Sequence, residues 1–520
     1  MGLPVRLPQA QYSNHRSGAL VAGQKSLRAA SSGRTVLGAV LVGILIAILT
    51  IWSTYFLEQN KLMAGVIGGP FFLLLTLRWP EYSVAVLLGM TNGLINQNWL
   101  PLLGFGSFSL HLQDLILLLL LGITVLRLAT RPGFGLRNSP LSIPLFLFLL
   151  MMVLSIANGI LAFGLSLNSA FRSGRLLFLW AVFFPVIWLI RDRRALERLI
   201  GAIWGLTAIL ALAVVIRQVY PGLHPFIIPL DVENLRTVNQ EISGVDRVFQ
   251  HPGTGLLYAM ITVTLATLAM LENERRTMLG QVFLFILLGL LLNWLIRSFQ
   301  RTLWLTVSLN CFVLFLWLSS HEKATLVRRL VPFGALLVLT FVVYRVLFPF
   351  ETDRLIYGVV NRFTSLNTSK LRADDSVDWR VLETHYALES LKAHPILGIG
   401  IGNEYRPPLE QEVWWQEFGL RWYIHNSFLW LTVMMGIVGL APFLALCLLY
   451  VARGVIFWRQ IEDSRLRALV LGLALSFAGQ MINNITEPTF VRGPPLTIYP
   501  AMMGISENII FLARQDGGVR

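Results

Sequence analysis

Runs of about 20 apolar residues recur along the chain, and they limit what it can fold into more than any other feature. They lie near 35–56, 61–77, 81–95, 109–127, 141–162, 175–190 and 198–216. The second half adds 252–271, 279–296, 303–319, 330–348, 426–451, 467–484 and 494–513. Lipid offers no water to backbone N–H and C=O groups, so each such run must close its own hydrogen bonds as a helix. The runs are too long and too continuously apolar for barrel strands, which alternate over about 10 residues. The predicted fold class is an all-α polytopic integral membrane protein with about 12–14 transmembrane helices. The composition agrees, with 55% hydrophobic and 13% charged residues in 520.

The formal charge of +14 would point a soluble chain toward nucleic acid. Here the basic residues concentrate in short connections: "RLATRPGFGLRN", "RDRRALER", "ENERRT", "HEKATLVRR" and "ARGVIFWRQIEDSRLR". The short segments between them, "LEQN" and "NNITEPTF", carry no Lys or Arg. That asymmetry is the positive-inside pattern, so the basic connections are read as cytoplasmic and no nucleic-acid partner is expected. The basic residues 1–34 are expected to be a cytoplasmic tail, with no cleaved signal peptide, and 514–520 a second one. Cys311 and Cys447 each sit inside an apolar run and read as small packing residues. The eight histidines form no HExxH-like arrangement, so neither a metal nor another cofactor is expected.

Transmembrane helices over 35–348 enclose an outer loop at 217–251, and the spans of 426–513 follow a large outer cap at 349–425. Within that cap "DDSVDWRVLETHYALESLKA" has acids at its start and no internal Gly or Pro. It predicts a helix that stops before "HPILGIGIGN", itself read as a tight turn returning the cap to the membrane. The tryptophans of "EVWWQEFGLRWYIHN" fit an interfacial aromatic belt or a stacking surface for sugar rings.

Arginines on the outer side run against the charge rule. Arg172 and Arg175 lie at the outer start of one span, and Arg247 precedes another. Arg297 and Arg301 bracket the turn "RSFQR", and Arg380 begins the external helix. Each has a structural reading, as a snorkelling side chain or a partner of Asp246, Asp378 or Glu383. Together they suggest an outward-facing site for an anion, because guanidinium forks onto phosphate or carboxylate oxygens. His425 and Asn426 stand on the same side, at the mouth of a span. An interfacial anchor and a helix cap are the structural readings. The chemical reading makes His425 a proton acceptor near neutral pH, beside arginines that neutralise a leaving diphosphate.

Four stretches carry a resemblance. "HNSFLWLTVMMGIVGL" resembles the HN…GxxG signature of the O-antigen ligase family, whose superfamily includes polysaccharide polymerases and protein O-oligosaccharyltransferases. "RVFQHPGTGLLYAM", "RSFQRTLWL" and "DWRVLETHYALESLKAHPILGIGIGNEY" are similar, in order and spacing, to the family's other motifs. Three departures stand out. His251-Pro252-Gly253 replaces a Pro-Asn pair, Phe299-Gln300 replaces small residues, and Trp379-Arg380 stands where the family has Arg-Trp.

The resemblance, over roughly 240–450, implies a GT-C-type glycosyltransferase in the bacterial inner membrane with its site facing the periplasm. The donor would be a glycan on undecaprenyl diphosphate and the acceptor a hydroxyl of lipid A core or another surface glycan or lipid. It implies His425 as general base and Arg301, Arg380 and Arg247 as diphosphate ligands, without a metal. Asn426, Arg297 and Trp379 are supporting positions.

A polymerase of the same superfamily needs the same base and clamp, and the sequence does not separate the two. A bicarbonate-type anion transporter is the alternative of another class, against which stand the large cap and the lack of a visible repeat or matched broken helices. An assembly protein without a site would leave the outer arginines dispensable.

Overall fold

The computed structural model describes residues 61–94, 103–105, 108–219, 253–271, 278–364, 375–408 and 421–515. The span at 35–56, the basic tail and Arg247 lie outside them, as do Trp414, Trp415 and nearly all of the loop 217–251.

Helices dominate, as continuous apolar runs require. Helices α1 (Lys61–Arg78) and α2 (Pro80–Thr91) lead to a hairpin of β1 (Leu103–Phe105) and β2 (Phe108–Leu110), the only sheet among the described residues. Then come α3 (Leu112–Thr130), α4 (Ser142–Leu161), α5 (Leu167–Gly174), α6 (Phe183–Leu189) and α7 (Arg193–Val219). The second half holds α8 (Thr254–Met270), α9 (Met278–Ser298), α10 (Arg301–Trp317), α11 (Ser320–Leu347) and α12 (Pro349–Thr364). It closes with α13 (Asp375–Ala393), α14 (Ser427–Phe457), α15 (Ser464–Asn483) and α16 (Ile498–Gln515). Seven described helices are long and apolar enough to cross a bilayer, or eight if the bent pair Leu167–Gly174 and Leu177–Leu189 is one span. This is a multi-pass membrane protein.

Lipid removes the hydrophobic drive between helices, so close contact depends on small residues and polar bonds. Helices α8 and α15 show both. Gly472 lies against the Val263 backbone, where a Cβ would come within 2.7 Å of Cα, and Ser476 Oγ donates to the Ala259 carbonyl at 3.0 Å. Both cysteines are free, Cys447 buried and Cys311 half-buried, as packing residues.

Helix α14 is broken, which its uninterrupted apolar sequence hides. Gly436 sits at φ 66°, ψ −172°, a conformation that only glycine adopts readily. The groups freed by the break bond to the segment before it. Ile399 N donates to the Val433 carbonyl at 2.9 Å and Gly400 N to Met434 at 3.0 Å, while Ile437 N donates to Pro395 at 3.1 Å. Helix α4 closes the junction. Ser155 Oγ donates to the Met434 carbonyl at 2.7 Å and accepts from Ile401 N at 3.1 Å. "HPILGIGIGN" is therefore more than a returning turn: its backbone repairs a broken span. The break is stabilised by partners distant in sequence.

Candidate functional site

Helix α13 ends where the sequence predicts, and one turn of it supplies the centre of the site. Trp379 and Glu383 are four residues apart and so share a face. Trp379 Nε1 donates to Glu383 Oε1 at 2.9 Å. Oε2 of the same carboxylate accepts from His425 N at 3.1 Å and from His425 Nδ1 at 2.8 Å. Glu383 is only 3% exposed. An ionised carboxylate is solely an acceptor, so the bond to Nδ1 fixes the proton there and leaves Nε2 as the lone-pair nitrogen. That is the tautomer a general base needs.

Neighbouring backbone holds His425 in place. Asn426 is the N-cap of α14, its Oδ1 accepting from Phe428 N at 3.0 Å and Leu429 N at 3.1 Å. The cap reading thus applies to Asn426, while the His425 ring turns to Glu383. Ser427 N and Oγ donate to the backbone and side-chain oxygens of Asn484, at 2.9 and 2.6 Å. This ties the loop after α15 to the start of α14. Phe490 pins the loop's far end, fully buried among Trp180, Phe443, Phe477 and Tyr499.

That anchored loop brings two residues that the sequence reading did not single out. Glu487 faces Arg380, Oε1 to Nη2 at 3.9 Å. Arg492 lies over the rings of Trp422 and Tyr423, 4.4 and 4.8 Å from their centroids. The Tyr423 ring meets the His425 ring edge-on at 4.7 Å. Burial pushes the Tyr423 phenol well above its ordinary pKa, and Glu487 adds to the effect, so the group stays neutral. Burial also lowers Arg492, yet a guanidinium stays charged at neutral pH. Its Nη1 is buried without a hydrogen-bond partner among the described residues. Arg406, 7% exposed, covers Trp379 at 5.0 Å from the ring centroid.

Arg301 is the first residue of α10. Asn310 of α10 lies level with Gly479 of α15, where both Asn310 and the Tyr258 hydroxyl crowd the glycine. From that level Arg301 stands about 14 Å up α10 and Asn484 about 8 Å up the antiparallel α15, at 1.5 Å per residue. Arg297 ends α9 across a turn in which Phe299 has φ +49°, and its Nε is buried without a partner among the described residues. Arg175 departs from the expected cluster: it pairs with Asp114 at 3.2 Å, which accounts for its position structurally. Among the described residues no three His, Cys, Asp or Glu side chains gather as a metal site.

Residues 260–444 match the family model described as O-antigen ligase. The chain carries an O-antigen ligase family domain. The matched segment contains Arg301, Trp379, Arg380, Glu383, His425 and Asn426, while Arg247, Glu487 and Arg492 fall outside it. No curated protein matches the chain. With the helical spans, the match supports a membrane glycosyltransferase of the O-antigen ligase and polymerase kind.

Proposed function

We propose that the protein transfers a glycan from undecaprenyl diphosphate to an acceptor hydroxyl, at the periplasmic face of the bacterial inner membrane and without a metal. The observation that carries this reading is the His425–Glu383 pair, with Nε2 left as the acceptor nitrogen. The acceptor hydroxyl attacks the anomeric carbon and its proton passes to Nε2. A new C–O bond forms as the bond from the anomeric carbon to the diphosphate oxygen breaks, and the electron pair leaves with the diphosphate. Glu383 stabilises the imidazolium that results. Arg301 and Arg380 neutralise the leaving diphosphate, with Arg492 as an added cation and Arg247 as a ligand implied by the family likeness. The GT-C architecture belongs to the same proposal.

The ligase reading takes a lipid A core or other surface acceptor, and the polymerase reading takes a second lipid-linked repeat. A glycan profile separates them in cells lacking the protein and complemented with wild type or His425→Ala. For a ligase, long polymer stays on the lipid carrier until wild type is restored, and His425→Ala does not rescue. For a polymerase, only single repeat units accumulate. Unchanged surface glycans in a host without a redundant enzyme would overturn both.

A further inference from the structure

Two stretches of chain meet beside His425, and one buried amide fixes how they meet. Residues 422–427 lead into α14, and residues 484–492 follow α15. The stretches touch at both ends. Ser427 bonds to Asn484 at one end, and Arg492 covers the Trp422 and Tyr423 rings at the other. His425 lies between these contacts in the first stretch, and Glu487 lies between them in the second. The two stretches are therefore clamped in antiparallel order.

Asn484 makes the inner end of that clamp. It is fully buried. Its Oδ1 accepts from Ser427 Oγ at 2.6 Å and from Phe490 N at 2.7 Å. Its Nδ2 donates to the Gln480 carbonyl at 2.8 Å and to Thr489 Oγ1 at 2.9 Å. Both lone pairs of the amide oxygen and both N–H groups are thus used. A backbone N–H only donates and a carbonyl only accepts, so Phe490 and Gln480 fix which way the amide faces. The partners belong to different elements: Gln480 to α15, Ser427 to α14, and Thr489 and Phe490 to the loop. The chain of bonds continues outward. Thr489 Oγ1 lies 2.9 Å from the Tyr499 hydroxyl of α16, and the Phe490 carbonyl accepts from Trp180 Nε1 at 3.1 Å. Inside the arc that Asn484 closes, Glu487 N donates to the Asn483 carbonyl at 3.0 Å.

Glycosyl transfer as read above needs a proton acceptor and the diphosphate-binding cations to act at one anomeric carbon in the same step. The acceptor stands two residues before Ser427, and Glu487 and Arg492 ride on the loop that Asn484 holds. We propose that Asn484 is a positioning residue: it sets the spacing of the His425 base from Arg492 and, through Glu487, from Arg380. This role rests on the glycosyl-transfer reading. Asn484 acts only through Ser427 and the loop, and a misplacement of about 1 Å at a reacting centre costs about 10²-fold in rate.

The test is single-turnover transfer by the purified full chain in lipid nanodiscs. The donor is a labelled undecaprenyl-diphosphate-linked repeat unit. The acceptor is lipid A core or an unlabelled repeat unit, whichever wild type glycosylates. The rate constant reports geometry in the folded molecules, and the amplitude reports how many are folded. Asn484→Asp keeps the shape but sets a carboxylate oxygen against the Gln480 carbonyl, and should lower the rate constant by about 10²-fold with the amplitude retained. Ser427→Ala removes only the Oγ bond, leaving Ser427 N on the Asn484 carbonyl, and should lower the rate constant by up to about tenfold. Ser427→Thr restores a hydroxyl and should recover the wild-type rate constant. If Asn484→Asp does not fold, the Ser427 pair decides alone. Wild-type rate constants in the variants, whatever their amplitudes, overturn the proposal and make Asn484 purely structural. His425→Ala run in parallel separates the two readings. If it is inactive while the other variants keep the wild-type rate constant, only the positioning role fails. If it transfers at the wild-type rate, the base reading fails and takes the positioning role with it.

Discussion

Replacing Glu383 by glutamine tests how the base is prepared. The carboxylate accepts three hydrogen bonds: Trp379 Nε1 on one oxygen, and His425 N and Nδ1 on the other. A glutamine amide has one oxygen and one NH₂, so no orientation satisfies all three donors. With its oxygen toward His425, the NH₂ meets the Trp379 N–H. With its NH₂ toward His425, it meets the backbone N–H and donates to Nδ1, which moves the ring proton to Nε2 and abolishes the base. One buried donor is left unpaired either way, at a cost of about 1–3 kcal/mol of stability. General-base catalysis contributes about 10²–10⁴-fold, and a wrong tautomer in a serine-protease triad costs about 10⁴-fold. The expected result for Glu383→Gln is a kcat lower by about 10²–10⁴-fold with the donor KM unchanged. The assay is transfer of a labelled glycan by purified protein, with a melting curve to show that the fold persists. A folded Glu383→Gln protein with wild-type kcat would refute the reasoning.

Three further outcomes follow from the structure. Arg492→Met should raise the donor KM by about 10- to 100-fold, the loss of a charge-assisted contact, with partial recovery in Arg492→Lys; steady-state kinetics with donor varied would show it. Gly436→Ala would place a Cβ 1.8 Å from the Ile396 carbonyl oxygen at a positive φ, and should cost about 2–6 kcal/mol, read as a lower melting temperature or loss of the folded peak in size exclusion. Arg453 and Glu507 form a buried bidentate pair at 2.6 and 3.0 Å, so Arg453→Met should destabilise by about 3–5 kcal/mol, while adding Glu507→Leu should restore most of the loss in thermal melts.

Much of the fold is legible because lipid permits few solutions. A run such as 142–161 can only be a helix there, and the bounds of α13 follow from acids at its start and glycines after its end. His425 is legible because a histidine at the mouth of an apolar span stands out. Its partner is less so. Glu383 reads as one more surface acid in a polar helix, and only its four-residue spacing from Trp379 hints at a shared face. Glu487 and Arg492 are harder still, since what brings them in is the burial of Phe490 and the bonds of Asn484 to Ser427, contacts between elements far apart in sequence. The break at Gly436 is hidden for the same reason. A glycine in an apolar run signals neither a kink nor the backbone partner at 395–401 that makes the kink stable.

The most direct test of the central claim is a single-turnover assay. Purified wild type and His425→Ala are given an undecaprenyl-diphosphate-linked glycan and an acceptor in lipid nanodiscs, and released undecaprenyl diphosphate and glycosylated acceptor are measured together. Wild type should yield both in equal amounts, and His425→Ala should bind donor with undiminished affinity yet form neither product. A folded His425→Ala protein that transfers at the wild-type rate would contradict the account.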